Sequence, residues 1–151
     1  MKIEAQKLMA EARIPQRDLG DMCFDFFTLY THAENESDPG YPEHGVLLPH
    51  RVYKVHTGIA LALPKGFGMT LEARSGVAWN FGLQVLGGQI DNTYRGEIMG
   101  LVQVTYPMPY QIYDRMFQGK LISQYDEAIM VDTDTLTETD RQDAGFGASG
   151  S

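Results

Sequence analysis

The sequence is poor in cysteine, in positive charge, in long apolar runs and in helix-like periodicity, and each shortage removes a class of protein. Its 151 residues include a single cysteine, Cys23, so no internal disulfide can form and nothing points to an oxidising compartment. No apolar run approaches the roughly 20 residues that a helix needs to cross a bilayer. The opening MKIEAQKLMAEAR lacks the apolar core of a signal peptide. A soluble, cytoplasmic protein with no membrane partner is expected. Lys and Arg total 12 against 20 Asp and Glu, a formal net charge of −8. Nucleic-acid binding rests chiefly on neutralising phosphates with cations, so nucleic acid is not an expected partner. A small anionic ligand is still compatible. It needs only a few arginines and backbone N–H groups, with a divalent cation to offset the remaining charge. His44, His50 and His56 recur every six residues, but zinc requires closer ligand pairs with cysteine or carboxylate support, so no zinc centre is read there.

What is present is a run of short, aromatic and β-branched segments punctuated by Gly and Pro, which predicts one all-β domain, a barrel or sandwich. Only residues 2–12, KIEAQKLMAEA, have helical composition, stopped by Pro15. Residues 22–30, MCFDFFTLY, read as a buried strand with Asp25 inside it. Such a carboxylate is either a satisfied structural group or the edge of a site. A polar, acidic loop follows at 31–45. Next, Val55, Thr57, Ile59, Leu61 and Leu63 alternate with Lys54, His56, Gly58, Ala60 and Ala62, the period-two pattern of a half-buried strand ended by Pro64. Residues 98–106 should place Ile98, Val102, Val104 and Tyr106 on one face. The stretch 106–119 reads as a Pro-rich connection, and LISQY and AIMV as short strands. From residue 132 the apolar pattern ends, so the expected organisation is a β domain over 1–131 and a flexible arm over 132–151.

The chain is organised around residues 70–104, which read as two strands around a glycine-rich hairpin. This stretch brings together a cationic turn (Arg74-Ser75-Gly76), the pair Gly87-Gly88, and Asp91 three residues before Tyr94. Glycine allows backbone to approach a ligand closely, and a carboxylate beside such a turn can orient and deprotonate a water. An ordinary polar-tipped hairpin is the alternative. In the arm, Arg141, Phe146 and the small residues of GFGASG could form a phosphate-binding nest with an aromatic lid.

In order and sequence these outliers resemble the five motifs of the trimeric, all-β deoxyuridine triphosphatases (dUTPases). VHTGIALALP at 55–64 looks like that family's V-P-T-G-I strand, ARSGVA at 73–78 like its second motif, and GLQVLGGQIDNTYRGEI at 82–98 matches the third almost throughout. GKLISQ at 119–124 is a looser fourth, and Arg141 with GFGASG at 145–150 keeps the spacing of the fifth. The resemblance implies a dUTPase-like, jelly-roll-like (β-clip) barrel subunit in a homotrimer with shared sites, hydrolysing dUTP to dUMP and pyrophosphate with Mg²⁺. Such an activity limits uracil in DNA and supplies dUMP for thymidylate synthesis. It implies Asp91 as general base, Tyr94 under the deoxyribose, and the backbone of 82–90, including Gly88 and Ile90, on the uracil edge. Arg74, Ser75, Gly76 and Gln124 would meet the phosphates. Arg141, Gly147 and Ser149 would close over them, with Phe146 on the base. Asp25 would receive hydrogen bonds from waters on a Mg²⁺ held mainly by the triphosphate. Arg95 and Glu97 match too and fall to structure or subunit contacts.

Three departures stand out: Met22-Cys23-Phe24-Asp25-Phe26 where Ala-Gly-Tyr-Asp-Leu is usual, Lys120-Leu121 for an acidic–basic pair, and Ala148-Ser149 for Ser-Thr. The connection 106–119 is also longer than in compact members. The competing expectations are a dCTP deaminase of the same fold and a trimeric, nucleotide-sensing module that binds a regulatory protein through loops 31–45 or 106–119.

Overall fold

The computed structural model describes residues 1–37 and 44–137, and the arm residues Arg141, Phe146, Gly147 and Ser149 lie outside that range. The chain folds as β1 (Glu4–Lys7), β2 (Cys23–Asp25), β3 (Tyr30–Ala33), β4 (His44–Leu47), β5 (Tyr53–Ala62), β6 (Phe67–Ala73), α1 (Ser75–Phe81), β7 (Gln84–Leu86), β8 (Gln89–Ile90), β9 (Glu97–Gln103), β10 (Met108–Gln111) and β11 (Phe117–Ser123). One sheet runs β1-β5-β9-β7 with β3 also on β5, a second runs β2-β11-β6-β8, and β4 pairs with β10. All the pairings are antiparallel, so the fold is all-β, as expected. No helix among the described residues is long and apolar enough to cross a membrane.

β5 is the central element. β3 covers one edge from Tyr53 to His56, β1 covers the same edge from Ile59 to Ala62, and β9 lies along the other edge. The strict alternation expected for this strand fails in its middle. The register against β9 shifts between His56 and Ala60, and Val55 through Leu61 are all buried. The cause is a bulge at Gly58, whose φ of +64° is open to glycine at little cost. The bulge turns successive side chains inward, and a Cβ at Gly58 would lie 2.8 Å from Leu29 Cδ1. The core between the sheets is closed by Phe26 and Phe117, stacked with centroids 5.4 Å apart.

Helix and strand exchange places relative to expectation. Residues 2–12 do not form a helix: a segment that short is marginal alone, and the open edge of β5 captures it as β1. The helix forms instead at α1, where the cationic turn was read. Gly82 ends it in the left-handed conformation, φ +63°, donating its N–H to Ala78 O. Segment 22–30 divides into β2 and the start of β3 around residues 26–29. The connection 106–119 contains all of β10 and the start of β11. AIMV is not a strand; Ile129, Met130 and Val131 are exposed. Tyr106 is also exposed rather than aligned with the buried Ile98, Val102 and Val104.

Candidate functional site

The glycine-rich stretch is not a hairpin in the ladder sense. β7 pairs with β9, whereas β8 pairs with β6, so Gly87 and Gly88 carry the chain from one sheet to the other. Both have φ near +70°, +71° and +68°. Leu71 N donates to Gly88 O at 2.7 Å, and a Cβ on Gly88 would sit 2.9 Å from Leu71 O. Among the described residues β8 ends its sheet, so its outer edge carries backbone N–H and C=O groups that no described strand takes up, a row able to read a flat polar ligand.

Asp91 follows β8 directly and is exposed. Its carbonyl accepts from Tyr94 N at 3.1 Å, closing a turn. The Tyr94 hydroxyl donates to Glu97 O at 3.1 Å, and Arg95 Nη1 donates to the carbonyls of Asn92 and Tyr94 at 2.5 and 2.8 Å. From the end of β11, Gln124 Oε1 accepts from Asn92 N at 3.3 Å. Gly88, Ile90, Asp91, Tyr94 and Gln124 are therefore gathered around one turn. Beside it opens a cavity of about 320 Å³, walled by Leu86, Gly88, Ile90, Met99 and Leu101, with Lys54, Asp91, Tyr94 and Glu97 as polar lining. Sequence reasoning does not mark Lys54. Its only signal was an exposed place in the β5 alternation.

Glu97 anchors this turn from below, as a structural residue should. Its Oε1 accepts from Thr57 N at 3.0 Å and Gly58 N at 2.7 Å, the two N–H groups that the bulge frees from the ladder. Its Oε2 lies 3.0 Å from His56 Nδ1, and His56 Nε2 lies 2.9 Å from His32 Nδ1. One assignment satisfies the row: each Nδ1–H donates, to Glu97 and to His56 Nε2 in turn. Tyr30 stacks on His56 at 4.2 Å. Burial pushes the Glu97 carboxyl up, but the hydrogen bond from His56 and those from the Gly58 and Thr57 N–H groups outweigh it and hold the pKa below the usual value of 4.5. A depressed carboxylate stabilises the fold fully above its unfolded value and loses that contribution as pH falls through its folded value. Glu97→Ala should cost about 2–4 kcal/mol at pH 7, because two buried N–H groups lose their acceptor. The melting-temperature gap between variant and parent should narrow steadily below pH 4.5; a gap independent of pH would show that the carboxylate charge does not matter.

The second group of expected residues lies elsewhere. Asp25 is a satisfied carboxylate: Arg74 Nε meets Oδ1 and Arg115 Nη1 meets Oδ2, both at 2.9 Å. Ser75 and Gly76, exposed at the start of α1, adjoin Arg74. Ile90 pairs with Met69, which places Asp91 level with Gly68. Arg74 is six residues further along the same chain, roughly 20 Å at strand rise. Gln124, expected with the phosphate group, sits at the Asp91 end instead. One chain thus holds the two groups of candidate residues at opposite ends of β6.

Among the described residues no group of three or more His, Cys, Asp or Glu side chains could cage a metal. The residues do fit a Mg²⁺ held by phosphates and water, the arrangement this ion favours. A carboxylate has about four lone-pair positions, and the arginines take one on each Asp25 oxygen, leaving acceptors for ion-bound waters.

Comparison with known proteins follows the same lines. A family profile described as dUTPase matches residues 41–150. The deoxyuridine 5'-triphosphate nucleotidohydrolase of Helicobacter pylori strain J99 is 35% identical over 155 aligned residues, covering 99% of this chain and 97% of that protein. The protein of the same name from Leifsonia xyli is 38% identical over 109 residues, 69% of this chain and 71% of its own. The dUTPase of Staphylococcus bacteriophage 80alpha, solved with dUPNHPP, superposes with a TM-score of 0.81 over 99% of both chains at 19% identity. A mutant dUTPase from phage phi11 of S. aureus, whose structure is described as showing the coordination of a structural Mg(II) ion, gives 0.73 at 17% identity, covering 91% of this chain and all of that one. At those identities the two structures speak to the fold.

Proposed function

The chain belongs to the dUTPase family, and we propose that each of its active sites joins the Asp91 half of one subunit to the Arg74 half of another. The protein hydrolyses dUTP to dUMP and pyrophosphate and uses Mg²⁺. The observation that carries the site reading is the separation along β6. The base-reading edge with its carboxylate and the cationic, phosphate-facing group lie roughly 20 Å apart in one chain, too far to hold a single nucleotide's uracil and triphosphate around one reacting phosphorus. A homotrimer with shared sites removes the gap.

In this arrangement the outer edge of β8 takes the uracil by its donor–acceptor pattern. Cytosine is rejected by mismatch, and thymine by the close approach of backbone around Gly88. Tyr94, held flat by its bond to Glu97 O, packs under the deoxyribose and leaves no room for a ribose 2′-hydroxyl. Asp91 accepts a proton from a water that attacks the α-phosphorus, and pyrophosphate leaves. Phosphoryl transfer asks little covalent help of the protein, so positioning and charge stabilisation dominate. Arg74, Ser75 and Gly76 supply these from the neighbouring subunit, and Gln124 orients the Asp91 turn through Asn92 N. Mg²⁺ bound with the triphosphate would neutralise phosphate charge, and Asp25 would accept hydrogen bonds from its waters. Arg141, Phe146, Gly147 and Ser149 close over the nucleotide as a lid that excludes bulk water.

The deciding assay offers dUTP and dCTP in parallel. Pyrophosphate and dUMP should appear from dUTP, with no ammonia from dCTP. Ammonia from dCTP without dUMP from dUTP would place the chain with the deaminases of the same fold.

A further inference from the structure

Arg115 lies in the connection 106–119, and we propose that it is a further substrate-binding residue, a second guanidinium that takes a phosphate oxygen of the triphosphate beside Arg74. The proposal rests on the dUTP-hydrolysing reading above.

Asp25 is contacted on both carboxylate oxygens, by Arg74 Nε and by Arg115 Nη1, each at 2.9 Å. One carboxylate neutralises one guanidinium, so the trio keeps a net positive charge within a chain of formal charge −8. A second arginine adds little to an already paired Asp25, since partly exposed ion pairs contribute little stability and the two cations repel each other. The excess charge therefore wants an external anion.

The geometry is suited to one. The Asp25 side chain is only 19% exposed, whereas those of Arg74 and Arg115 are 35% and 48% exposed. The carboxylate sits behind and the two forks stand forward. Each guanidinium has five N–H donors and spends one on Asp25, leaving the rest for a ligand. Nor are the two arginines free to wander. Arg74 N donates to Met116 O at 3.2 Å, and Met116 is fully buried, which ties the backbone beside Arg115 to that of Arg74. Asp25 thus aligns a pair of phosphate-binding forks.

The test compares full-length parent, Arg115→Gln and Arg115→Lys by calorimetry with α,β-imido-dUTP and with deoxyuridine, alongside KM for dUTP. Loss of a charge-assisted contact should weaken binding of the imido-triphosphate by about tenfold to a hundredfold in Arg115→Gln, with KM rising in parallel. Arg115→Lys should lose less, and affinity for deoxyuridine should not change. Unchanged triphosphate affinity in folded Arg115→Gln overturns the proposal. So does an equal loss for deoxyuridine, which marks a structural residue. A parent that does not turn over dUTP would instead sink the functional reading, a separable failure.

Discussion

Asp91→Asn should bind the nucleotide and fail to hydrolyse it. Positioned general bases contribute typically 10²–10⁴-fold, so kcat should fall by about a thousandfold. The substitution keeps the shape of the side chain and leaves the turn intact, because that turn is closed through the Asp91 carbonyl and Tyr94 N rather than through the carboxylate. The β8 edge, the Tyr94 platform and the Gln124 contact to Asn92 N should all survive. Affinity for a non-hydrolysable dUTP analogue should therefore stay within about threefold of the parent, since each 1.4 kcal/mol is worth tenfold and no contact to the base or phosphates is removed. Single-turnover pyrophosphate release separates the two quantities. Near-normal release would refute the general-base role. Weak binding with normal chemistry would make Asp91 a positioning residue.

The grouping of residues around Asp91 is legible in the sequence because they are neighbours along the chain. Gly88, Ile90, Asp91 and Tyr94 fall within seven residues, and local backbone conformation brings them together. The Arg115–Asp25 contact spans 90 residues and the His56–Glu97 contact 41. No periodicity or composition reports such pairs. The sequence shows that Asp25 needs a partner but not which residues supply it. Arg115 lay within a stretch read as a bare connection, because its proline and aromatics masked β10.

Errors of element type have one physical origin. Local propensity is worth tenths of a kcal/mol per residue, and an unpaired strand edge outweighs it. β1 has helical composition and exposed side chains along its whole length, yet it lies on β5 because the backbone of β5 needs partners there. α1 could have been anticipated from Gly82 as a left-handed terminator after VAWNF. The bulge in β5 was hidden for a different reason. Gly58 looked like one more small residue on the outer face, and its role emerges only once Glu97 supplies an acceptor for the two N–H groups that the bulge releases.

Mixing two inactive variants should restore activity, which follows directly from the separation of the half-sites along β6. Arg74→Gln removes the guanidinium proposed to face the phosphates, and Asp91→Asn the proposed base, so each variant alone should be nearly inactive. Unfolded together in equal amounts and refolded, the two chains assemble at random. A working site needs Asp91 from a subunit that carries Arg74→Gln and Arg74 from a subunit that carries Asp91→Asn. Each condition holds for half the positions, so about a quarter of the sites should be intact and the mixture should recover about a quarter of parental turnover. If one chain supplied both groups to the same site, every site would carry a lesion and mixing would restore nothing. Refolding each variant alone controls for damage during the procedure. The roughly 20 Å of strand between Gly68 and Arg74 requires recovery, because no closure of an arm over the nucleotide can shorten a ladder whose seven β6–β11 pairs run from Phe67 to Ala73.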